Sequence, residues 1–392
     1  MNDVKNKICE KIDSYKDELI GLSHCIHDNP ELSGEEYAAA AALVSFMEKH
    51  GFKTETKFCG MDTAFRAVKK GAAAGPVVAF IAEYDALEGI GHACGHNIIA
   101  SGAAGAALGL AGFIEGEGGE IRVIGCPAEE KGDGKITLLK NGAFDDVDFV
   151  LEVHPSNKNI ISRGNIACTD MVVEYFGKSA HSSDPASGVN ALSALILLFN
   201  QIDVLRQRWN TNWTPRVNGI IREGGKAANV ITPYACGSFM LRAEHTKELL
   251  AMIADIKKAA ECSAGLLGAE VKTRVGQICE DTIPNRTMGL KFAENMTCLG
   301  EKMNLPAPNE RRGSSDIGNV SRRVPTIHEY LRINQGKGPH TDEFREAAVS
   351  ERGDEVVLLA AKGMAMTASD LFTDQEFRKK ALEEFKEAAK EI

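Results

Sequence analysis

The sequence predicts an α/β domain interrupted by a smaller α+β domain of ferredoxin-like arrangement, and three observations predict it. Apolar strand-like runs alternate with helical stretches from Lys53 to Val153, the rhythm of an α/β sheet. Between Met171 and Val275 the elements read β-α-β-β-α-β, the order of the split βαβ sandwich. After Thr287 the alternation of helix and strand resumes. The expected boundaries are therefore residues 1–169 for the first part of the larger domain, 170–279 for the insertion and 280–392 for the remainder. A chain of 392 residues exceeds one typical domain of ~150 residues, and the insert of ~100 residues is large enough to fold as a unit.

Taken in order, Ile8, Ile12, Tyr15, Leu19, Leu22 and Ile26 recur at helical spacing, so one helix is expected from Val4 to His27, stopped by Asn29-Pro30. A second helix runs to about His50, where Gly51 closes it. Strands are expected at Lys53 to Phe58, Thr63 to Val68 and Val77 to Glu83, followed by a glycine-flanked turn and a small-residue helix, Ile98 to Ile114. Strand Ile121 to Gly125, a short helix Ile136 to Asn141 and strand Phe149 to Val153 complete the first part. In the insertion, strand Met171 to Phe176 precedes helix Ser187 to Arg208, strands Val217 to Arg222 and Ala235 to Arg242, helix Lys247 to Leu267 and strand Glu270 to Val275. The last part carries helix Thr287 to Met303, strand Thr326 to Leu331, a loop from Gly336 to Glu343 and helices from Glu346.

Charge narrows the function. The net charge is −10 and the longest basic run is Arg378-Lys379-Lys380, which argues against a nucleic-acid partner. Met1 to Glu18 lacks the apolar core of a secretory signal. Ala100 to Ile114 falls short of the ~20 residues that cross a bilayer and reads as a buried helix, so no membrane partner is expected. Ten cysteines, scattered from Cys9 to Cys298 without a C-x-x-C pair, read as reduced thiols of a cytoplasmic protein.

The candidate chemistry centres on GHACGHN, Gly91 to Asn97, where a thiol (Cys94) and an imidazole (His96) lie two positions apart in a strand-to-helix turn. Such a turn can aim a thiolate and an imidazole at one metal or two neighbouring ones. Alone, Cys94 reads equally as a small buried residue and His96 as a helix start. Polar residues just past strand ends line the site of an α/β sheet, and Asp85, Glu129, Glu130 and His154 fall there. His340 lies in the Gly-rich loop that follows the last strand. Metal coordination accounts for all of these together.

The series HDNPELSGEE, AEYDAL, GHACGHN, CPAEEKGDGK, EVHPS, GKSAHSS, GSSDIGNVS and GPHTDEF resembles the aminoacylase/carboxypeptidase-type dinuclear metallopeptidases. Within them it is similar to the amidohydrolase branch of Xaa-Arg and β-alanyl-lysine dipeptidases, aminobenzoyl-glutamate hydrolases and hippurate hydrolases. The resemblance implies a metallopeptidase catalytic domain whose insertion serves as a lid and dimerisation domain. It implies metal ligands Cys94, His96, Glu130, His154 and His340, Glu129 as general base, and Asp85 as a carboxylate orienting a ligand. His181 of GKSAHSS would reach the neighbouring subunit's site and help hold the oxyanion, and Asn229 and Arg242 would meet the substrate carboxylate. Asn97 and Glu83 stand where many hippurate-type relatives have Asp, which suits the dipeptidase and aminobenzoyl-glutamate side of the branch. The expectation is a homodimer or higher oligomer holding two divalent ions per chain, Zn or Mn. It would hydrolyse the amide bond of small N-acyl amino acids or dipeptides that carry a free carboxylate. The alternatives are an N-acetyl-amino-acid deacetylase and an inactive metal-dependent binding protein; the intact Glu129 argues against the latter.

Overall fold

The structure is a computed structural model that describes residues 2–209, 215–308 and 310–391. The chain forms two compact units, Met1–Gly164 with Thr282–Ile392, and Asn165–Asp281. Ten strands carry them: β1 (Lys53–Thr56), β2 (Phe65–Lys70), β3 (Ala73–Glu83), β4 (Gly118–Cys126), β5 (Phe149–Ser156), β6 (Ala167–Phe176), β7 (Arg216–Glu223), β8 (Tyr234–Ala243), β9 (Glu270–Val275) and β10 (Thr326–Arg332).

In the first unit the strand order is β1-β2-β4-β3-β5-β10. Strands β3, β4, β5 and β10 are mutually parallel, and β2 and β1 add antiparallel pairing at one side. The runs Val78 to Ala82 and Phe149 to Leu151 are wholly buried, as expected of strands covered on both faces. One face packs against the helices His96–Gly116 and Glu351–Thr373, and the helices Asp3–Asp13 and Lys16–Asp28 pack on those two in turn, all within the main core. The other is covered by Leu138, Phe144, Ile317 and Val320, from the short helices and turns that follow β4 and precede β10. Parallel strands align their carboxyl ends, so the residues after β3, β4 and β5 gather at one edge, where such sheets hold their sites.

Two expectations are corrected. The N-terminal stretch is two helices, Asp3–Asp13 and Lys16–Asp28, because the chain turns at Ser14, whose hydroxyl donates to the Lys11 carbonyl at 2.6 Å. The helix after GHACGHN is longer than expected, His96–Gly116, so by length and composition it could cross a membrane, as could Glu351–Thr373. Both are mostly buried, and they pack against one another as core helices. Their closeness depends on small residues: a Cβ at Gly105 would lie 2.9 Å from the Ala361 Cβ and 3.0 Å from Leu19 Cδ1.

The second unit has strand order β7-β8-β6-β9, antiparallel throughout. Helices Ala191–Trp209 and Thr246–Leu267 pack on it around Leu195, Leu198, Phe239 and Ile256. This is the ferredoxin-like arrangement. Its first strand begins at Ala167, ahead of the sequence-derived boundary at Asp170, and the unit closes at Asp281. Strand β7 is an edge and presents the exposed Ile220 and Ile221.

Replacing Gly105 by valine is expected to lower stability by ~1–3 kcal/mol through overpacking of the helix pair. Urea unfolding checks it; an unchanged midpoint would show that the two helices can separate without cost.

Candidate metal centre

The turn between β3 and the helix His96–Gly116 holds its shape through glycine. Gly95 has φ +77°, and a Cβ there would lie 2.5 Å from Pro155 Cγ, so only glycine lets the turn lie against the end of β5. The turn leaves Cys94 buried and makes His96 the first residue of the helix, wholly buried. His96 Nδ1 lies 2.9 Å from both the backbone oxygen and Oδ1 of Asp85. Both partners only accept, so Nδ1 carries a proton and donates it. Asp85 Oδ2 in turn accepts from the Ser33 hydroxyl at 2.7 Å and from the Glu130 backbone N–H at 2.9 Å. One carboxylate thus ties together the His96 ring and the segment after β4.

That segment reverses sharply. Ala128 has φ +59° and its N–H donates to Glu36 Oε1 at 2.9 Å. Glu36, buried, also accepts from Thr63 Oγ1 and the Gly34 N–H. A Cβ at Gly134 would overlap the Pro127 oxygen, so the loop closes on itself only with glycine there. The result aims Glu129 and Glu130 at His96: Glu130 Oε1 lies 3.8 Å and Glu129 Oε2 4.0 Å from Nε2. His154 lies within β5 rather than past its end, because the strand continues to Ser156 in register with β10. Its Nε2 is 3.5 Å from Cys94 Sγ. His340, with φ +68° and its N–H donating to the Ala93 oxygen at 2.8 Å, brings Nε2 to 3.6 Å from Glu130 Oε2.

Among the described residues the donor atoms form three sets, two that share the thiol (Cys94 with His96 and His154, and Cys94 with Glu130 and His340) and one of Glu83, His96 and Glu129; within each set all atoms lie within 4.8 Å of one another. His96 Nε2 and Glu130 Oε1 are buried without a hydrogen-bond partner among the described residues. Unsatisfied buried acceptors beside a thiol and imidazoles are what divalent cations require, and the donor set fits two of them. Burial, with Glu130 and Glu129 beside it, raises the Cys94 thiol well above its ordinary value, so cation binding here must displace a proton. Burial alone would lower His96, but Cys94 and Asp85 outweigh it and hold the ring well above the usual histidine range. Burial lowers His154 to about 4, leaving a neutral imidazole. Burial and the charge of Glu83 raise Glu129 well above the ordinary carboxylate value.

The sequence reading noted Glu83 as a departure but missed the charged layer behind these ligands. Lys135 is fully buried, its ammonium 2.5 Å from Glu83 Oε1 and also paired with Asp316, whose Oδ2 accepts from the Lys135 N–H at 2.7 Å. Glu152, buried in the middle of β5, faces His328 at 3.7 Å. Burial alone would raise Glu83, but Lys135, His96 and His154 outweigh it and keep it ionised. The legible signal was an acid inside an apolar strand, Phe149-Val150-Leu151-Glu152-Val153.

His181, Asn229 and Arg242 belong to the second unit. There His181 bridges to Val230, the Ser182 N–H donates to the Asn229 oxygen at 2.9 Å, and His181 Nδ1 lies 2.7 Å from Ser183 Oγ. His181 and Asn229 are thus neighbours, both exposed. Arg242, half-buried on β8, stands opposite Cys168 and Arg216.

Residues 67–363 match the sequence profile of peptidase family M20/M25/M40. The chain is 38% identical to the Xaa-Arg dipeptidase of Mus musculus over 98% of this chain and 92% of the relative. It is 26% identical to a p-aminobenzoyl-glutamate hydrolase polypeptide of Escherichia coli, covering 95% of this chain and 93% of the relative. A dinuclear metal-binding M20 peptidase from Bacillus subtilis shares the fold, with TM-score 0.72, 19% identity and coverage of 92% of this chain and 99% of that one.

Asp85→Asn is expected to lower divalent-cation affinity by ~10–100-fold, because the His96 ring and the Glu130 backbone lose their common anchor. Titration of the metal-stripped protein with Zn²⁺ against a chromophoric chelator measures it; wild-type affinity would show that the ligands hold their places without Asp85.

Proposed function

This chain belongs to peptidase family M20/M25/M40, and on that premise we propose that it hydrolyses the amide bond of dipeptides or small N-acyl amino acids bearing a free carboxylate. The observation that carries the reading is the buried His96 Nε2, which has no hydrogen-bond partner among the described residues and is surrounded by carboxylate oxygens with Glu129 among them. Cys94, His96, Glu130, His154 and His340 would hold the two cations, with Cys94 common to both. A thiolate with imidazoles suits Zn²⁺, and Mn²⁺ is the second candidate. When bound, such cations polarise the amide carbonyl and acidify a water.

The chain's own residues do the rest. Asp85 keeps the Nδ1 proton of His96 in place, so Nε2 faces the centre as a lone pair. Glu129 takes a proton from the attacking water as the new C–O bond forms, holds it on its carboxyl, and passes it to the amide nitrogen as the C–N bond breaks. Burial and the charge of Glu83 raise Glu129 in the metal-free protein, and its carboxylate is able to take the proton up where bound cations offset that neighbouring negative charge. His181 would stabilise the negative charge developing on the carbonyl oxygen, and Asn229 and Arg242 would take the substrate carboxylate. The similarity to Xaa-Arg dipeptidases makes dipeptides with a C-terminal arginine the first substrates to test.

A homodimer follows from the same reading, with His181 acting in the partner's centre. The exposed Ile220 and Ile221 on the edge strand β7 support it, since an apolar strand edge favours pairing with a second copy. All ten cysteines are free thiols, which supports a reducing, cytoplasmic setting.

Glu129→Gln is expected to lower kcat by at least ~100-fold while metal content measured by elemental analysis stays at the wild-type level. Activity within a few-fold of wild type would remove Glu129 from the mechanism. A His181→Ala chain and a Glu129→Gln chain are each expected to be inactive. Allowed to exchange subunits, the mixture should regain about a quarter of wild-type activity, since half the dimers are hybrids with one complete centre each. No recovery despite exchange seen by native mass spectrometry would show that His181 does not serve the partner.

A further inference from the structure

Glu83 is the last residue of β3, 1% exposed, and its two oxygens have different surroundings. Oε1 is fixed by the Lys135 ammonium at 2.5 Å, and Lys135 is itself held from behind by Asp316 through both its ammonium and its backbone N–H. Oε2 points instead at the metal centre and lies 3.3 Å from His96 Nε2. No hydrogen-bond donor reaches Oε2 or Nε2 among the described residues, and the carboxyl of Glu152 lies beside Glu83 on the same side of the centre.

Asp85 occupies His96 Nδ1, which leaves Nε2 as the ring nitrogen turned toward Glu83. Nε2 and Oε2 face each other at 3.3 Å, close enough for a ring proton to pair with the carboxylate in the metal-free protein and for a cation that displaces that proton to take both atoms as ligands. Glu83, His96 and Glu129 also form a set whose donor atoms lie within 4.8 Å of one another. We propose that Glu83 is a further ligand of the cation held at His96 Nε2, clamped in place by the Lys135–Asp316 pair. The proposal rests on the metal-centre reading above and adds to it an anionic ligand drawn from β3. Lys135 plays a matching part, because its charge offsets that of Glu83 and its grip on Oε1 leaves only Oε2 to meet the cation. Lys135 and Asp316 are then positioning residues, since each acts through Glu83.

The test compares metal-stripped wild type, Glu83→Gln, Glu83→Asp and the double variant Glu83→Gln/Lys135→Met, titrated with Co²⁺ and followed by visible absorption and elemental analysis. The double variant removes a carboxylate and an ammonium together, so no unpaired charge is left on Lys135, and circular dichroism verifies that it folds. The expected result is wild type taking up two Co²⁺ per chain, while both Gln variants bind one of the two at least ~100-fold more weakly, beyond the loss typical of a supporting partner. Their ligand-field bands should shift, and Glu83→Asp, with its shorter reach, should resemble them. Unchanged affinities and bands in the Gln variants would overturn the proposal and leave the metal centre standing. Wild type that binds no Co²⁺, or binding that survives Cys94→Ser unaltered, would overturn the metal-centre reading itself.

Discussion

Asp85 is the joint on which the centre depends. Its carboxylate takes a proton-bearing nitrogen of His96, the hydroxyl of Ser33 and the backbone N–H of Glu130, and so couples the turn after β3 to the loop after β4. A carboxylate with this many donors stays ionised although buried: burial alone would raise it, but His96 and the hydrogen bonds outweigh that and lower it. An ionised Asp85 fixes which nitrogen of His96 carries the proton, and that choice turns the other nitrogen into a ligand. Changing this one side chain would disturb a tautomer, a backbone segment and a donor set together.

Behind that joint the protein concentrates buried charge. Glu83, Asp85, Lys135, Glu152 and Asp316 are all essentially inaccessible, and each buried ion costs several kcal/mol in lost hydration before any partner is counted. Acids outnumber bases among them, with Lys135 the single cation of the group. An excess of buried acid is sustained by protons or by metal ions. The upward shifts of Glu129 and Glu152 describe the first solution, which divalent cations would replace. The same excess suits a thiol and the His154 imidazole, which is neutral when metal-free, as ligands beside the carboxylates.

Much of the architecture was legible because it rests on periodicity. The all-apolar runs of β3 and β5 and the β-α-β-β-α-β order of the second unit follow from residue pattern alone, and the parallel sheet brings the ends of β3, β4 and β5 to one edge. Cys94, His96, Glu129 and Glu130 were readable for the same reason, since each follows a strand. What escaped was decided by contacts distant in sequence. The N-terminal helix breaks at Ser14 for a hydrogen bond that periodicity does not register. His154 lies inside its strand because β10 pairs with it through Ser156. Lys135 meets Asp316 across the insertion, and nothing local marks a lysine in a glycine-rich loop as buried. Glu36 tethers Ala128 from a distant helix start, where its own neighbours suggest only an exposed acid.

The discontinuity of the first unit has a consequence for the protein's birth. Cys94, Glu130 and His154 leave the ribosome well before His340, and the whole of Asn165–Asp281 is made in between. That unit is a continuous segment with its own core, so it can fold while the larger sheet still lacks β10 and the helix Glu351–Thr373. Until those last elements arrive, β5 has an open edge and the thiol lacks its second set of companions. The set of Cys94, His96 and His154 is made early, and only the finished polypeptide adds His340 and completes the second set.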